Sequence, residues 1–466
     1  MSETTCLTLL PAEILHNILQ WVDPRDLGRL PRVSRFMRDY IRSNRKLWKD
    51  AYLYNLDAPE RDIDWEQELR DVVRLQLICA APSPNRSDNE RELLFVHNAV
   101  TRLLRHASPT GGPAAPRMPT HSASRNASLL ARLFRDENAR TAFFTRSFLY
   151  RRSRGPSILS FAECNTPVQQ ASAQLHCLWG RPLLNSGRTR RSRMHPFALS
   201  KVYDLREYTV RTRWGPFMDD GSDRVDWEKM EAIMLVLGSN INQVQASSPA
   251  FLSMWDSPFA GSWAGSWIPT PGRKLSGLDL QDPYGISGTW LRVVCFIDYN
   301  DFFAFNFLAS QRVPDGYPCP ALETGEATRL ILMKLHVTSI EPPGEEDGQG
   351  LPVVHFRGIS RSLHNSWDNN ADSDLRGTCR LTREGDVRWT TFSIFDGEER
   401  WRSESVQVGG VKSARGVLGN WFDVYVCTNF LPNPSSVPYI SMLSSHVDVT
   451  ETMTSTAPRV PRRSGS

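Results

Sequence analysis

The chain has 466 residues, of which 40% are hydrophobic and 23% charged, with a formal net charge of +4. This length suggests two or three domains, and the balance is that of an ordinary globular protein. No run of 18 apolar residues exists, which excludes a membrane-spanning helix, and the first residues lack the basic and apolar regions of a secretory signal.

Cysteines stand at 6, 79, 164, 177, 295, 319, 379 and 427, without a C-x-x-C or a Cys/His cluster of zinc spacing. So scattered, they read as reduced buried thiols of a cytoplasmic or nuclear protein, and neither a metal nor a cofactor is expected. Charge is uneven. Residues 101–200 hold 16 Lys or Arg against 3 Asp or Glu, so the remainder is net acidic. A basic middle can bind nucleic acid or an acidic partner. Its arginines fall mostly in Pro/Ser-rich sequence without interleaved aromatics. A basic linker with a nuclear-import patch is therefore preferred, and nucleic-acid binding is the weaker reading.

Residues 7–56 predict a small helical unit. Ile14, Leu15, Ile18 and Leu19 follow Leu10-Pro11 at amphipathic spacing. Pro11 suits a first helical turn, and Asp23-Pro24-Arg25-Asp26 ends one helix and starts the next. Phe36, Tyr40, Ile41, Leu47, Trp48 and Tyr52 continue the pattern. So short a unit cannot bury all of these within itself, so the surplus predicts a surface made for a partner.

The blocks Leu10-Pro11-x-Glu13-Ile14-Leu15-x-x-Ile18-Leu19, Asp23-Pro24-x-Asp26-Leu27, Val33-Ser34-Arg35 and Leu47-Trp48 resemble the F-box family in order and spacing. The resemblance implies a module that binds the Skp adaptor and tethers the chain to a cullin-based ubiquitin ligase. The adaptor contacts it implies are Leu10, Pro11, Ile14, Leu15, Ile18, Leu19, Leu27, Leu30, Val33 and Trp48. For Val33 and Trp48, packing inside the module is an equal reading.

Residues 57–106 keep helical spacing through Trp65, Leu69, Val72 and Leu77, then Leu93, Val96, Val100 and Leu104, and predict a helical connector broken at Ala81–Asp88. Residues 107–127 are too rich in Pro, Gly and Ser to bury a core and predict a flexible linker. Residues 128–197 predict helices at 128–140 and 167–179, the second from Pro167 to a stop at Gly180, and then a flexible basic loop whose Arg188–Arg193 run resembles a nuclear-localisation patch.

From Ala198 the texture changes. Arg206–Thr212, Trp290–Ile297, Phe302–Phe307, Arg329–Val337, Val353–Ile359, Gly377–Thr382 and Val387–Phe395 read as short strands separated by turn residues. Trp227 to Leu237 reads as a helix, with Ile233–Leu237 a strand in the alternative. Gly-x-Trp recurs at Gly261, Gly265, Gly288 and Gly419, which favours a lipocalin-like barrel, with a Trp plugging one end, over a sandwich. The fold class expected is α+β and multidomain: helices, then a mainly antiparallel β domain over 198–423.

Three blocks in this half are similar to a group of fungal F-box proteins: Asp282 to Tyr299, Glu384 to Phe395, and Gly410 to Asp423. In that group one more aromatic-rich strand follows. Here the chain runs through Val424-Tyr425-Val426-Cys427 into Ser/Thr/Pro-rich sequence. Residues 424–466 are expected to be a disordered tail, which leaves the barrel's closing strand open; a mis-joined gene model and a genuine alternative terminus both explain the departure.

No phosphate-loop, zinc-protease or hydrolase-elbow motif appears. Asp368 to Asp374 places oxygens at alternate positions, but Ser373 and Cys379 replace the Gly and Glu of a calcium loop. Glu228, Glu231, Asp298, Asp301, Glu398 and Glu399 form no pair by spacing, and His364 beside Trp367 reads as a loop residue. The chain is expected not to be an enzyme. It reads as a substrate-recognition subunit of an SCF-type ligase that recruits an adaptor, a cullin complex and a protein target. The alternative is a small-ligand-binding barrel tethered to the adaptor without ligase activity. Candidate substrate or ligand contacts are Trp263, Trp267, Trp290, Tyr299 and Phe303. Cytoplasm, nucleus or both are the expected locations.

Overall fold

The computed structural model describes residues 10–42, 44–82, 86–109, 123–154, 160, 164–185, 193–244, 257–268, 275–309, 313–314, 316–363, 372–424 and 439–445. The N-terminal unit folds as α1 (Ala12–Leu19), α2 (Pro24–Leu27), α3 (Arg35–Arg42) and α4 (Arg45–Asn55). Local chemistry sets the boundaries. Asp23 accepts the Arg25 amide at 2.8 Å ahead of Pro24, and Asn44 accepts the Leu47 amide at 2.9 Å.

The connector is α5 (Trp65–Ala80) and α6 (Arg86–Arg105). Arg102 of α6 clamps the pair, 3.0 Å from Glu68 and also bonded to Asp71. The break expected at 81–88 falls partly outside the described residues, as does most of the linker at 107–127. α7 (Arg125–Leu133) begins inside that linker. Its first turn sits on the buried Asp57, which accepts from Ser124 Oγ at 2.5 Å and from the amides of Arg125 and Asn126 at 3.0 and 3.2 Å. A carboxylate at a helix N-terminus neutralises its exposed N–H groups, and here it ties the first module to the next helices.

α8 (Glu137–Phe144), α9 (Phe148–Arg154) and α10 (Pro167–Trp179) follow. α10 starts and stops where the sequence indicates: Thr166 and Gln169 form a reciprocal cap, and Gly180 takes φ 75°.

The stretch 198–287 departs from the expectation of a β domain. It holds α11 (His195–Tyr203) and α12 (Trp227–Val244). Arg206–Thr212 is not a strand: Asp204 caps a 3-10 turn at Leu205–Glu207, and the Thr209 and Thr212 hydroxyls bond to nearby amides, which competes with ladder formation. Phe302–Phe307 is not a strand either. Asp298 accepts the Asn300 amide at 2.8 Å and turns the chain into a helical run over Tyr299–Phe303 and Ala304–Ala309.

The β region begins at Gly288, not at 198. β1 (Gly288–Ile297), β2 (Glu326–Glu341), β3 (Val353–Ser362), β4 (Ser373–Leu381), β5 (Val387–Phe395), β6 (Glu398–Gln407) and β7 (Val417–Asp423) form a curled antiparallel sheet in chain order. β8 (Tyr439–Ser445) pairs with both β7 and β1 and closes it into a barrel. β8 lies in the stretch expected to be disordered; its Tyr439-Ile440-Ser441-Met442-Leu443 core is short and set in Ser/Pro-rich sequence.

Inward and outward residues alternate along the strands. Trp290, Phe356 and Trp389 pack inside at one end, with ring centroids 5.2 and 5.5 Å apart, and Trp290 Nε1 donates to the Ile286 carbonyl at 2.7 Å. The outward residues Leu291, Val293, Cys295 and Ile297 join the helical core instead. α12 lies in that core, where every residue from Met230 to Leu237 is buried. Such a helix is stable only when covered on all sides, and its one charged residue in this run, Glu231, meets the buried His176 at 2.6 Å.

The start of α12 buries charge. Lys229 Nζ donates to the Lys201 carbonyl at 2.7 Å, and burial pulls it down to about 8. Glu228 accepts the Phe148 amide, and burial pushes its carboxyl up to about 7 despite the nearby Lys201. A carboxyl raised by folding holds its proton longer in the folded state, so it withdraws stability as pH rises from its ordinary value through about 7. Glu228→Gln keeps an acceptor for Phe148 and removes the titration. Between pH 5 and 8 its unfolding free energy is expected to fall less steeply than that of the parent, the difference reaching roughly 2–3 kcal/mol at pH 8 in denaturant titrations.

Candidate functional site

On a helix, adjacent residues point about 100° apart, and those four apart share a face. α1 uses this rule. Leu15 and Leu19 turn inward and are fully covered, while Ile14 and Ile18 are 47% and 40% exposed. Pro11 is exposed beside them, and Leu10 and Leu30 are half-buried. Val33 is 75% exposed. The ten contacts implied by the resemblance therefore divide. Leu10, Pro11, Ile14, Ile18, Leu30 and Val33 reach the surface. Leu15, Leu19, Leu27 and Trp48 do not; they form the module's own core, where Trp48 Nε1 donates to the Ile41 carbonyl at 3.0 Å.

Exposed aromatics outside that set stand on the same module. Phe36, three residues after Val33, is exposed and stacks on Tyr40 with centroids 6.2 Å apart. The Tyr40 hydroxyl donates to the Ala12 carbonyl at 2.9 Å, so α3 is fastened to the first turn of α1. Trp21 and Tyr54 make an exposed edge-to-face pair, centroids 4.5 Å apart. The signal for Phe36 was its place in the apolar pattern that continues through Tyr40 and Ile41.

The five aromatic candidates in the second half do not form one site. Trp263 is buried at the junction of helices and barrel, and Trp290 is buried in the barrel's packed end. Trp267 is half-buried against Gly285. Tyr299 and Phe303 are exposed and line up with Phe307, with centroids 6.3 and 4.9 Å apart. Trp290 is core because strand alternation turns it to the inside of β1, and Trp263 because it packs into the helical core.

The barrel does enclose a cavity, of about 260 Å³, at the end opposite the Trp290 plug. Its walls include Arg292, Phe296, Arg329, Arg400, Trp401 and Trp421. Guanidinium groups lie over rings: Arg292 5.0 Å from Trp421, Arg329 5.2 Å from Phe296 and Arg400 5.7 Å from Trp401. Trp401 and Trp421 pack on each other at 4.9 Å. Arg292 is 3% exposed, and burial brings its guanidinium down to about 10. Period-2 alternation from Trp290 through Arg292, Val294 and Phe296 was the available signal. The calcium-like stretch at 368–374 and His364 with Trp367 lie wholly or largely outside the described residues, and no group of three or more His, Cys, Asp or Glu suited to a metal occurs among those described.

Residues 7–54 match the family model described as F-box-like and form an F-box-like domain, the kind of module that binds Skp-type adaptors. Comparison with curated proteins and with solved structures gave no match. The division of the surface is open to test. Trp48→Ala is expected to destabilise the chain by about 3–5 kcal/mol. Ile14→Ala and Ile18→Ala should each stay within about 0.5 kcal/mol, as read from denaturant midpoints by circular dichroism.

Proposed function

We propose that this chain is the substrate-recognition subunit of an SCF-type ubiquitin ligase, with the Skp adaptor held by its first module and a protein target held by the barrel half. The observation that carries this reading is the F-box-like match at residues 7–54 together with an outward apolar row at Pro11, Ile14 and Ile18. An exposed row of this kind, set on a module whose interior is already filled, is what a partner helix covers. The chain itself would do no chemistry. It would raise the effective concentration of the target beside the ubiquitin-carrying enzyme. The set Leu10, Pro11, Ile14, Ile18, Leu30 and Val33, extended by Phe36, is the proposed adaptor face.

A second reading keeps the adaptor and changes the cargo: the barrel holds a small ligand and the complex transfers no ubiquitin. The enclosed cavity at the barrel's open end favours it.

The Ile14→Asp and Pro11→Ala/Ile18→Asp variants are expected to lose co-purification of the Skp adaptor by roughly tenfold or more while keeping the parental unfolding midpoint. Capture of cullin through the parent chain supports the ligase reading; undiminished adaptor binding by both variants would overturn the contact assignment.

A further inference from the structure

The first module carries a charge pattern that its fold does not require. Residues 29–49 hold eight Lys or Arg against one acid, Asp39. All eight cationic residues are exposed. Arg29 and Arg32 stand three apart at the 3-10 turn Leu30–Arg32, where residues at that spacing eclipse. Arg35, Arg38 and Arg42 share one face of α3, whose buried side is Met37 and Ile41. Like charges three or four apart on a helix repel, so this row costs α3 stability, and the single Asp39 offsets only part of that cost.

The stripe is continuous with the proposed adaptor face. Arg29, Arg32 and Arg35 immediately precede Leu30, Val33 and Phe36 in the chain. Leu30 is half-buried, Val33 and Phe36 are exposed, and each arginine is exposed beside its apolar neighbour. A stable interface has an apolar core and a polar rim, and takes up roughly 800 Å² on each partner. A partner of that footprint seated on Val33 and Phe36 reaches the arginines around them. A phosphate backbone would engage the cations and leave the apolar row uncovered, so the arrangement favours a folded protein over a nucleic acid.

We infer that the adaptor seated on this row carries an acidic rim, and that the arginine stripe from Arg29 to Arg42 steers it into place. The inference rests on the adaptor reading of the first module and adds the partner's charge to it. Complementary charge at a rim speeds encounter more than it tightens the finished complex, so the stripe acts on association while the apolar row holds the partner once docked.

The test follows binding of the full chain to purified Skp adaptor by biolayer interferometry, with NaCl raised from about 50 to 500 mM, a range that screens exposed charges. The association rate is expected to fall by about tenfold or more across that range, with dissociation changing less than about twofold. At low salt, Arg32→Gln/Arg35→Gln should slow association by about threefold and Arg32→Glu/Arg35→Glu by about tenfold, each with the parental unfolding midpoint. Arg357→Gln/Arg361→Gln removes the same charge from exposed positions on β3 and should leave the rate unchanged. A rate independent of salt, a parental rate in the charge-reversed variant, or an equal loss in the β3 variant would overturn the inference and leave the adaptor reading standing. No adaptor binding by the folded parent would overturn both. Capture of single-stranded DNA of about 20 nucleotides, lost in Arg32→Glu/Arg35→Glu while its adaptor rate stays parental, would overturn the inference and assign the stripe to nucleic acid.

Discussion

The fold depends on covering α12 on every side. From Met230 to Leu237 this helix has no solvent face, so neighbours must cover it all round. α10 and α11 cover one side, and strands β1, β2, β7 and β8 of the barrel cover another. The outward residues of β1 and those of Leu330, Val406 and Leu418 belong to the same core as α12. The barrel's outer wall is thus an internal surface of the protein. At the seam, Arg415 from the β6–β7 connection reaches the end of α10, donating to the carbonyls of Ala260 and Trp179 at 3.2 and 3.5 Å. Gly180 is required there twice over: its φ is positive, and a Cβ would occupy the guanidinium's place. Helical body and barrel are therefore one packing unit rather than two domains on a linker.

That unity explains what could be read along the chain and what could not. α10 was legible because Thr166, Pro167 and Gly180 are local signals that need no partner. β1 to β5 were legible because Val, Ile, Thr and aromatics recur between turn residues. α12 was ambiguous over Ile233–Leu237 for a physical reason: a short unbroken apolar run has no period to detect. β6 escaped because its inward side is Ser403, Ser405 and Gln407, while its Glu404 faces outward and is held by Arg388 and Arg402. An interior of hydroxyls and amides looks like a loop in one dimension. β8 escaped because its seven residues are strand only between β7 and β1. At the candidate adaptor face, the resemblance identified the right module but merged its surface with its core. A one-residue step around α1 separates Ile14 from Leu15, and only the packing of α4 shows which of them is inside.

The F-box-like domain joins the rest through a carboxylate. Asp57, just after α4, takes up the first turn of α7 across a long intervening stretch, so the domain is fastened to the helical body at a point distant in sequence. The α5–α6 pair lies beside this joint, and α6 packs in turn on α10. A continuous run of packed helices thus connects the exposed row of α1 to the barrel.

Closing the sheet into a ring has a further effect on recognition. An open sheet offers unpaired amides and carbonyls on its last strand, and an extended peptide can pair with them as one more strand. In this barrel β8 pairs with β1 over Trp290–Cys295 and with β7 over Val417–Trp421, so along those residues neither strand is left as an open edge. Along β1, β7 and β8 the barrel therefore offers its surroundings side chains, with shape and charge, rather than a free main-chain edge.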